Sequence, residues 1–257
     1  MKRPILLGAG WKMNRTVREA VEYVEALLTL LTGMEGLAQV QLFVVPPFTA
    51  IAEVKRLSCG MFWVGAQNMH WADSGAYTGE ISAPMVREAG ADLVELGHAE
   101  RRLNFNETDE SVSLKVATAL RHGLRPLVCV GDDPQGRGKA EDTVAQQLRI
   151  AFRDATPESA GRLMVAYEPA WAIGEAGTSA SPGEAAAMHR HIRRVLGEMF
   201  GTGARLIPVL YGGSVTPLNA GGLLYEGDAD GLFVGRAAWT ANGFAEVIHA
   251  SLEARGK

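Results

Sequence analysis

Eight short apolar runs recur along the chain, most of them followed by a longer stretch with helical spacing, and this alternation limits the fold more than any other feature. The runs are Ile5–Gly8, Val40–Val45, Phe62–Ala66, Leu93–Leu96, Leu127–Val130, Leu163–Tyr167, Leu206–Leu210 and Gly231–Val234. Amphipathic stretches lie between or after them at Arg18–Leu31, Glu107–His122, Ala140–Arg153, Glu184–Phe200 and Phe244–Leu252. A strand that reads as an unbroken apolar run is buried on both faces, as in a parallel sheet covered by helices. Eight such units without a long linker predict an α/β fold, a closed (β/α)8 barrel, formed by residues 1–257 as one domain. An open, doubly wound sheet uses the same alternation, and periodicity alone does not separate the two.

The loops carry more information. In a barrel, chemistry gathers where strands end and helices begin. The polar residues at those places are Lys12, Asn68, His98, Asp132, Glu168, Ser214 and Arg236. Composition narrows what they can act on. Apolar residues make up 47% and charged residues 21%, ordinary for a globular chain with a large core. The net charge of −4 argues against nucleic acid or an anionic membrane as a partner. An anionic ligand would have to be held locally, by backbone N–H groups and a few placed cations.

Only Cys59 and Cys129 supply thiols. Cys129 lies in the apolar run Pro126–Val130 and reads as a buried, reduced residue. The start, "MKRPILLGAGW", is basic, but its apolar run is too short for a signal peptide. No segment has the length of a membrane span. A soluble, cytoplasmic protein is expected.

Three segments read as reactive. In "AYEPAWAIGEAGTSASP", Glu168 ends a strand against the rigid Pro169 and precedes small residues and glycines, the composition of a hinged lid. An ordinary surface loop has a similar composition. In "VELGHAERRLNFNET", His98 follows Gly97 and opens a short helix, where the positive end of the dipole favours a neutral ring. A structural histidine satisfying a backbone group is the plainer alternative. The segments "VLYGGSVTPLN" and "DGLFVGRAAW" are glycine-rich turns opening into helices at the last two strands, a suitable cradle for phosphate.

Taken together, "GWKMN", "GAQN…GAYTGEIS", "ELGHAERR", "AYEPAWAIG", "YGGSV" and "DGLFVG" resemble the triosephosphate isomerase family, in order and over nearly the whole chain. The resemblance implies a cofactor-independent isomerase that moves a proton through an enediolate, with no metal. It implies Glu168 as the base and His98 as the neutral electrophile, roles for which this family is a standard illustration. It implies Lys12 as the cation facing a phosphorylated sugar, with Glu100 orienting that lysine. Gly174, Ser214, Gly235 and the Arg236 backbone fall where the family grips phosphate. The loop Asn68–Glu80, with Trp71, Tyr77 and Thr78, resembles the arm that enters a neighbouring subunit and implies a homodimer.

The chain also departs from the usual pattern. Gly10-Trp11-Lys12 stands where the family ordinarily reads Asn-Trp-Lys, Arg236 replaces a glycine, and Ala99 replaces a serine. The lid reads Gly174-Glu175-Ala176-Gly177-Thr178-Ser179 in place of a segment containing a lysine. Losing the amide at position 10 is expected to leave room for a larger substrate. Gly10-Trp11-Lys12, "GAQNMHWAD" and "GLFVGRAAW" resemble the tetrulose-phosphate branch, which interconverts L-erythrulose 1-phosphate and D-erythrulose 4-phosphate in erythritol catabolism. Triosephosphate isomerisation and a phosphate-binding sensor without catalysis are the competing readings.

Overall fold

The computed structural model describes residues 4–131, 140–172 and 179–255. Strands β1 (Ile5–Gly10), β2 (Val40–Val45), β3 (Phe62–Ala66), β4 (Leu93–Leu96), β5 (Arg125–Val130), β6 (Met164–Tyr167), β7 (Val209–Tyr211) and β8 (Gly231–Val234) follow one another around a closed barrel. Neighbours are parallel, and the seam closes with Leu6 opposite Gly231. The helices are α1 (Val17–Leu31), α2 (Ile51–Ser58), α3 (Ala83–Glu88), α4 (Ala99–Phe105), α5 (Asp109–Arg121), α6 (Ala140–Ala151), α7 (Pro182–Phe200), α8 (Ala220–Tyr225) and α9 (Ala241–Ala254). None of the described helices is long and apolar enough to cross a membrane.

Strand alternation divides the core in two. Residues such as Leu7, Val44, Val94 and Val165 face outward and pack under the helices. Leu6, Phe43, Leu93, Leu127, Met164, Leu210 and Phe233 fill the interior. Glycines on β1 make the filling possible. A Cβ on Gly8 would lie 2.0 Å from the Phe43 ring, and one on Gly10 would lie 3.1 Å from Phe233 Cζ. Both rings therefore lean across the bare strand and stack with centroids 5.6 Å apart. Each contributes about 1.5–3 kcal/mol by leaving water.

Two boundaries differ from the sequence expectation for physical reasons. Leu206 is not the start of β7. It ends a 3-10 turn (Gly201–Leu206) and is 54% exposed, and the following Pro208 has no N–H to give to a ladder. Helix α5 begins at Asp109, capped reciprocally by Thr108 and Ser111. Glu107, expected inside that helix, instead turns inward to accept from the Gly97 N–H at 3.2 Å and to pair with Lys115.

Candidate active site

A cavity of about 460 Å³ opens at the carboxyl ends of the strands. Its wall includes Gly10, Lys12, His98, Glu100, Glu168, Ser214, Gly235 and Arg236, so the fold brings together every sequence-predicted site residue except Gly174. Gly174 lies outside the described residues, as do Asp132 and most of the expected lid.

Glu168 follows β6 and is only 3% exposed. Its backbone N–H donates to the Val130 carbonyl at 2.8 Å. Its Oε2 accepts from the Ala99 N–H at 3.2 Å, and its Oε1 lies 3.3 Å from His98 Nε2. The serine hydroxyl missing at position 99 is thus not needed to hold the carboxylate, because the backbone holds it. Gly131 and Gly212 leave the necessary space: a Cβ on Gly131 would meet the Glu168 carbonyl oxygen at 2.0 Å, and one on Gly212 would meet Glu168 Cγ at 3.0 Å.

His98 caps α4, and its Nδ1 accepts from the Glu100 N–H at 3.1 Å. A ring that accepts at Nδ1 carries its proton on Nε2, the atom facing Glu168. Burial disfavours the charged ring, yet the facing Glu168 and Glu95 carboxylates outweigh it and leave the imidazole pKa raised. The helix terminus was expected to keep the ring neutral by its dipole. The donor aimed at Nδ1 is the more direct constraint, since an imidazolium would set two N–H groups against each other.

Lys12 is held by strain. Its backbone is left-handed at φ 53°, unusual for a residue with a side chain. Gln67 fixes this turn by donating from Nε2 to the Lys12 carbonyl at 2.7 Å and to the Val45 carbonyl at 3.1 Å. The ammonium then reaches Glu100 Oε1 at 2.6 Å. Glu100 is therefore placed to orient Lys12, while Lys12 faces the cavity.

On the far rim the two glycine turns differ. Gly235 leads directly into a 3-10 turn (Arg236–Trp239), and a Cβ there would meet nothing within 4 Å, leaving open space above the backbone. Gly212-Gly213-Ser214 does not open straight into a helix, contrary to the expectation for both turns, since α8 begins at Ala220. Gly213 is required by close approach, its Cβ site being 2.4 Å from Tyr211 Oη. The return from the lid is tied down nearby: Tyr211 Oη accepts from the Ala180 N–H at 3.1 Å, and Asn219 Nδ2 donates to Ser179 Oγ at 2.9 Å.

The room expected from Gly10 is partly taken. Phe233 rests against it and forms one side of the cavity. Sequence reasoning also missed Glu95, which points inward from β4 into the same cavity and is 6% exposed. Burial, offset in part by His98 and reinforced by Glu168, pushes its carboxyl pKa up to about 7. Period-2 alternation marks position 95 as an inward one, but nothing in the local sequence says that a glutamate there faces a ligand.

One donor atom each from Glu95, Cys129 and Glu168 lies within 4.8 Å of the other two. A small cation fits such a trio geometrically, although burial and the two carboxylates push the Cys129 thiol far up and keep its proton on, which makes it a poor ligand.

In the arm, His70 stacks between Trp71 and Tyr77, with ring centroids 4.1 Å away on each side. Asn68 is buried and accepts from Lys115 at 2.9 Å.

Comparison with known proteins agrees with this geometry. The family described as triosephosphate isomerase matches residues 5–251. An L-erythrulose-1-phosphate isomerase of Mesorhizobium japonicum is 47% identical, over 94% of this chain and 95% of its own. One from Rhizobium etli is 46% identical, over 95% and 91%. The crystal structure of triosephosphate isomerase from Bartonella henselae superposes with a TM-score of 0.85 at 33% identity, covering 96% of this chain and 98% of that one.

Proposed function

The chain belongs to the triosephosphate isomerase family, and from this we propose that it is the isomerase interconverting L-erythrulose 1-phosphate and D-erythrulose 4-phosphate. The observation that carries the reading is the meeting of Glu168 and His98 over one cavity whose opposite rim is glycine-rich.

The reaction needs little else. Glu168 takes the proton from C3 of L-erythrulose 1-phosphate as His98 gives its Nε2 proton to the C2 oxygen. Lys12 opposes the negative charge that builds on the enediolate oxygens. Glu168 returns its proton at C2, and the C3 hydroxyl proton passes back to His98 as that carbon becomes the new carbonyl. Atoms and charge balance, and both residues end as they began. The phosphate sits at Ser214, Gly235 and the Arg236 backbone, joined by Gly174. No cofactor takes part in this sequence of steps.

Relatives that bear this activity in their names, together with Gly10 in the cavity wall, favour a four-carbon over a three-carbon substrate. We further propose that the chain works as a single barrel domain and a homodimer through Asn68–Glu80. Trp71 and Tyr77 are large apolar groups 38% and 47% exposed, as an interface segment would be. Cys129 buried and Cys59 exposed as free thiols suit the cytoplasm.

The test is kcat/KM for L-erythrulose 1-phosphate and for glyceraldehyde 3-phosphate. A preference for the first is expected, and a clear preference for the triose would overturn the substrate. Deuterium uptake from heavy water beside the carbonyl is also expected, and phosphate-ester binding without exchange would point to a sensor instead.

A further inference from the structure

Glu95 has no part in the isomerisation set out above, yet it is a buried carboxyl group facing the reaction. It projects from β4, where the interior is otherwise built from side chains such as Leu93, Leu127, Met164 and Phe233. A buried carboxyl group normally finds a cation or backbone N–H groups. Among the described residues Glu95 has only weak neighbours, the Cys129 thiol at 3.9 Å and His98 Nε2 at 4.0 Å. Its hydrogen-bonding capacity is thus left over, and it is directed into the cavity.

We propose that Glu95 determines specificity by receiving the terminal hydroxyl of a four-carbon ketose phosphate, the group that a triose phosphate lacks. The inference rests on the tetrulose-phosphate reading. In L-erythrulose 1-phosphate the extra hydroxymethyl group is attached to C3, the carbon that Glu168 deprotonates. That carbon must lie against Glu168, and Glu168 and Glu95 have oxygens within 4.8 Å of each other. A substituent on the reacting carbon therefore lies within a bond or two of Glu95. Gly10 and Phe233 border the same space, the glycine adding no side chain to it and the ring giving the substrate methylene an apolar wall. A carboxyl group that holds its proton up to about pH 7 can both donate to and accept from a hydroxyl.

The test compares wild type, Glu95→Gln and Glu95→Leu on L-erythrulose 1-phosphate and on its 4-deoxy analogue, in which a methyl replaces the hydroxymethyl. Wild type is expected to favour the hydroxylated compound by about 10- to 1000-fold in kcat/KM. Glu95→Leu should erase that ratio while retaining turnover of the analogue within about threefold, and Glu95→Gln should keep part of the ratio. An unchanged ratio in both variants would overturn the proposal. Equal losses on both compounds would also overturn it, making Glu95 a positioning residue for His98. The ratio does not depend on how much enzyme is folded, so Glu95→Gln decides the matter if Glu95→Leu is unstable. Wild type inactive on L-erythrulose 1-phosphate would sink the substrate reading itself, a result distinct from active wild type with indifferent variants.

Discussion

At the scale of single residues, the site sets two buried carboxyl groups against one imidazole and lets their surroundings separate them. Glu168 has the Ala99 N–H and His98 Nε2 at 3.3 Å, whereas among the described residues Glu95 has only His98 Nε2 at 4.0 Å and the Cys129 thiol at 3.9 Å. The proposed roles rest on that difference. Glu168→Gln should lower kcat by about 10²- to 10⁴-fold with the fold intact, measured by steady-state turnover and circular dichroism. Glu95 should also leave a mark on stability. Its folded pKa of about 7 lies above its ordinary value of 4.5, so the folded protein holds a proton that the unfolded chain releases. Stability linked to that proton is complete below about pH 4.5 and is lost as pH rises through 7. Thermal melts should show wild type losing up to about 3 kcal/mol relative to Glu95→Gln between pH 5 and 8. A constant difference across that range would show that Glu95 does not titrate there. The positions of Glu168, His98 and Lys12 at the cavity were legible in the sequence because each lies within two residues of a strand end. Glu95 was not, since it sits inside a strand and its significance comes from residues on other strands.

At the scale of elements, β1 does two unlike things. Gly8 and Gly10 make room for rings from β2 and β8, and the strand then runs into the left-handed turn at Lys12. Gly8→Ala should cost about 1–3 kcal/mol by overpacking against Phe43, and Phe43→Leu should recover part of the loss in the double variant, as read by urea unfolding. Gln67→Ala should cost about 1–3 kcal/mol by taking the donor from the Lys12 carbonyl, while the Val45 carbonyl keeps the Trp11 N–H, and it should lower kcat as Lys12 loses its orientation. A variant that retains full activity would show that the Lys12 turn holds itself. Elements with long amphipathic stretches were legible in advance: α1, α5, α6, α7 and α9 were all expected within a few residues. The short helices α2, α3 and α8 span eight, six and six residues, too few for a 3.6-residue period to stand out. The start of β7 misled because Leu206 is apolar and yet exposed.

At the scale of the whole molecule, barrel closure was expected from eight strand units read together with the polar residues at their ends, but the interior arrangement was not, because it depends on which ring fills which glycine gap. Met13, beside Lys12, is 95% exposed, and Trp71 and Tyr77 lie partly open on the arm. Wild type should sediment as a dimer, and Tyr77→Asp should yield a folded monomer with kcat at least about tenfold lower. A fully active monomer would separate assembly from catalysis. Phe233 resting on bare Gly10 carries a consequence for any side chain placed there. A Cβ at position 10 would lie 3.1 Å from Phe233 Cζ, so an asparagine fits only if the ring gives way by a few tenths of an ångström, and the two positions have to be varied together.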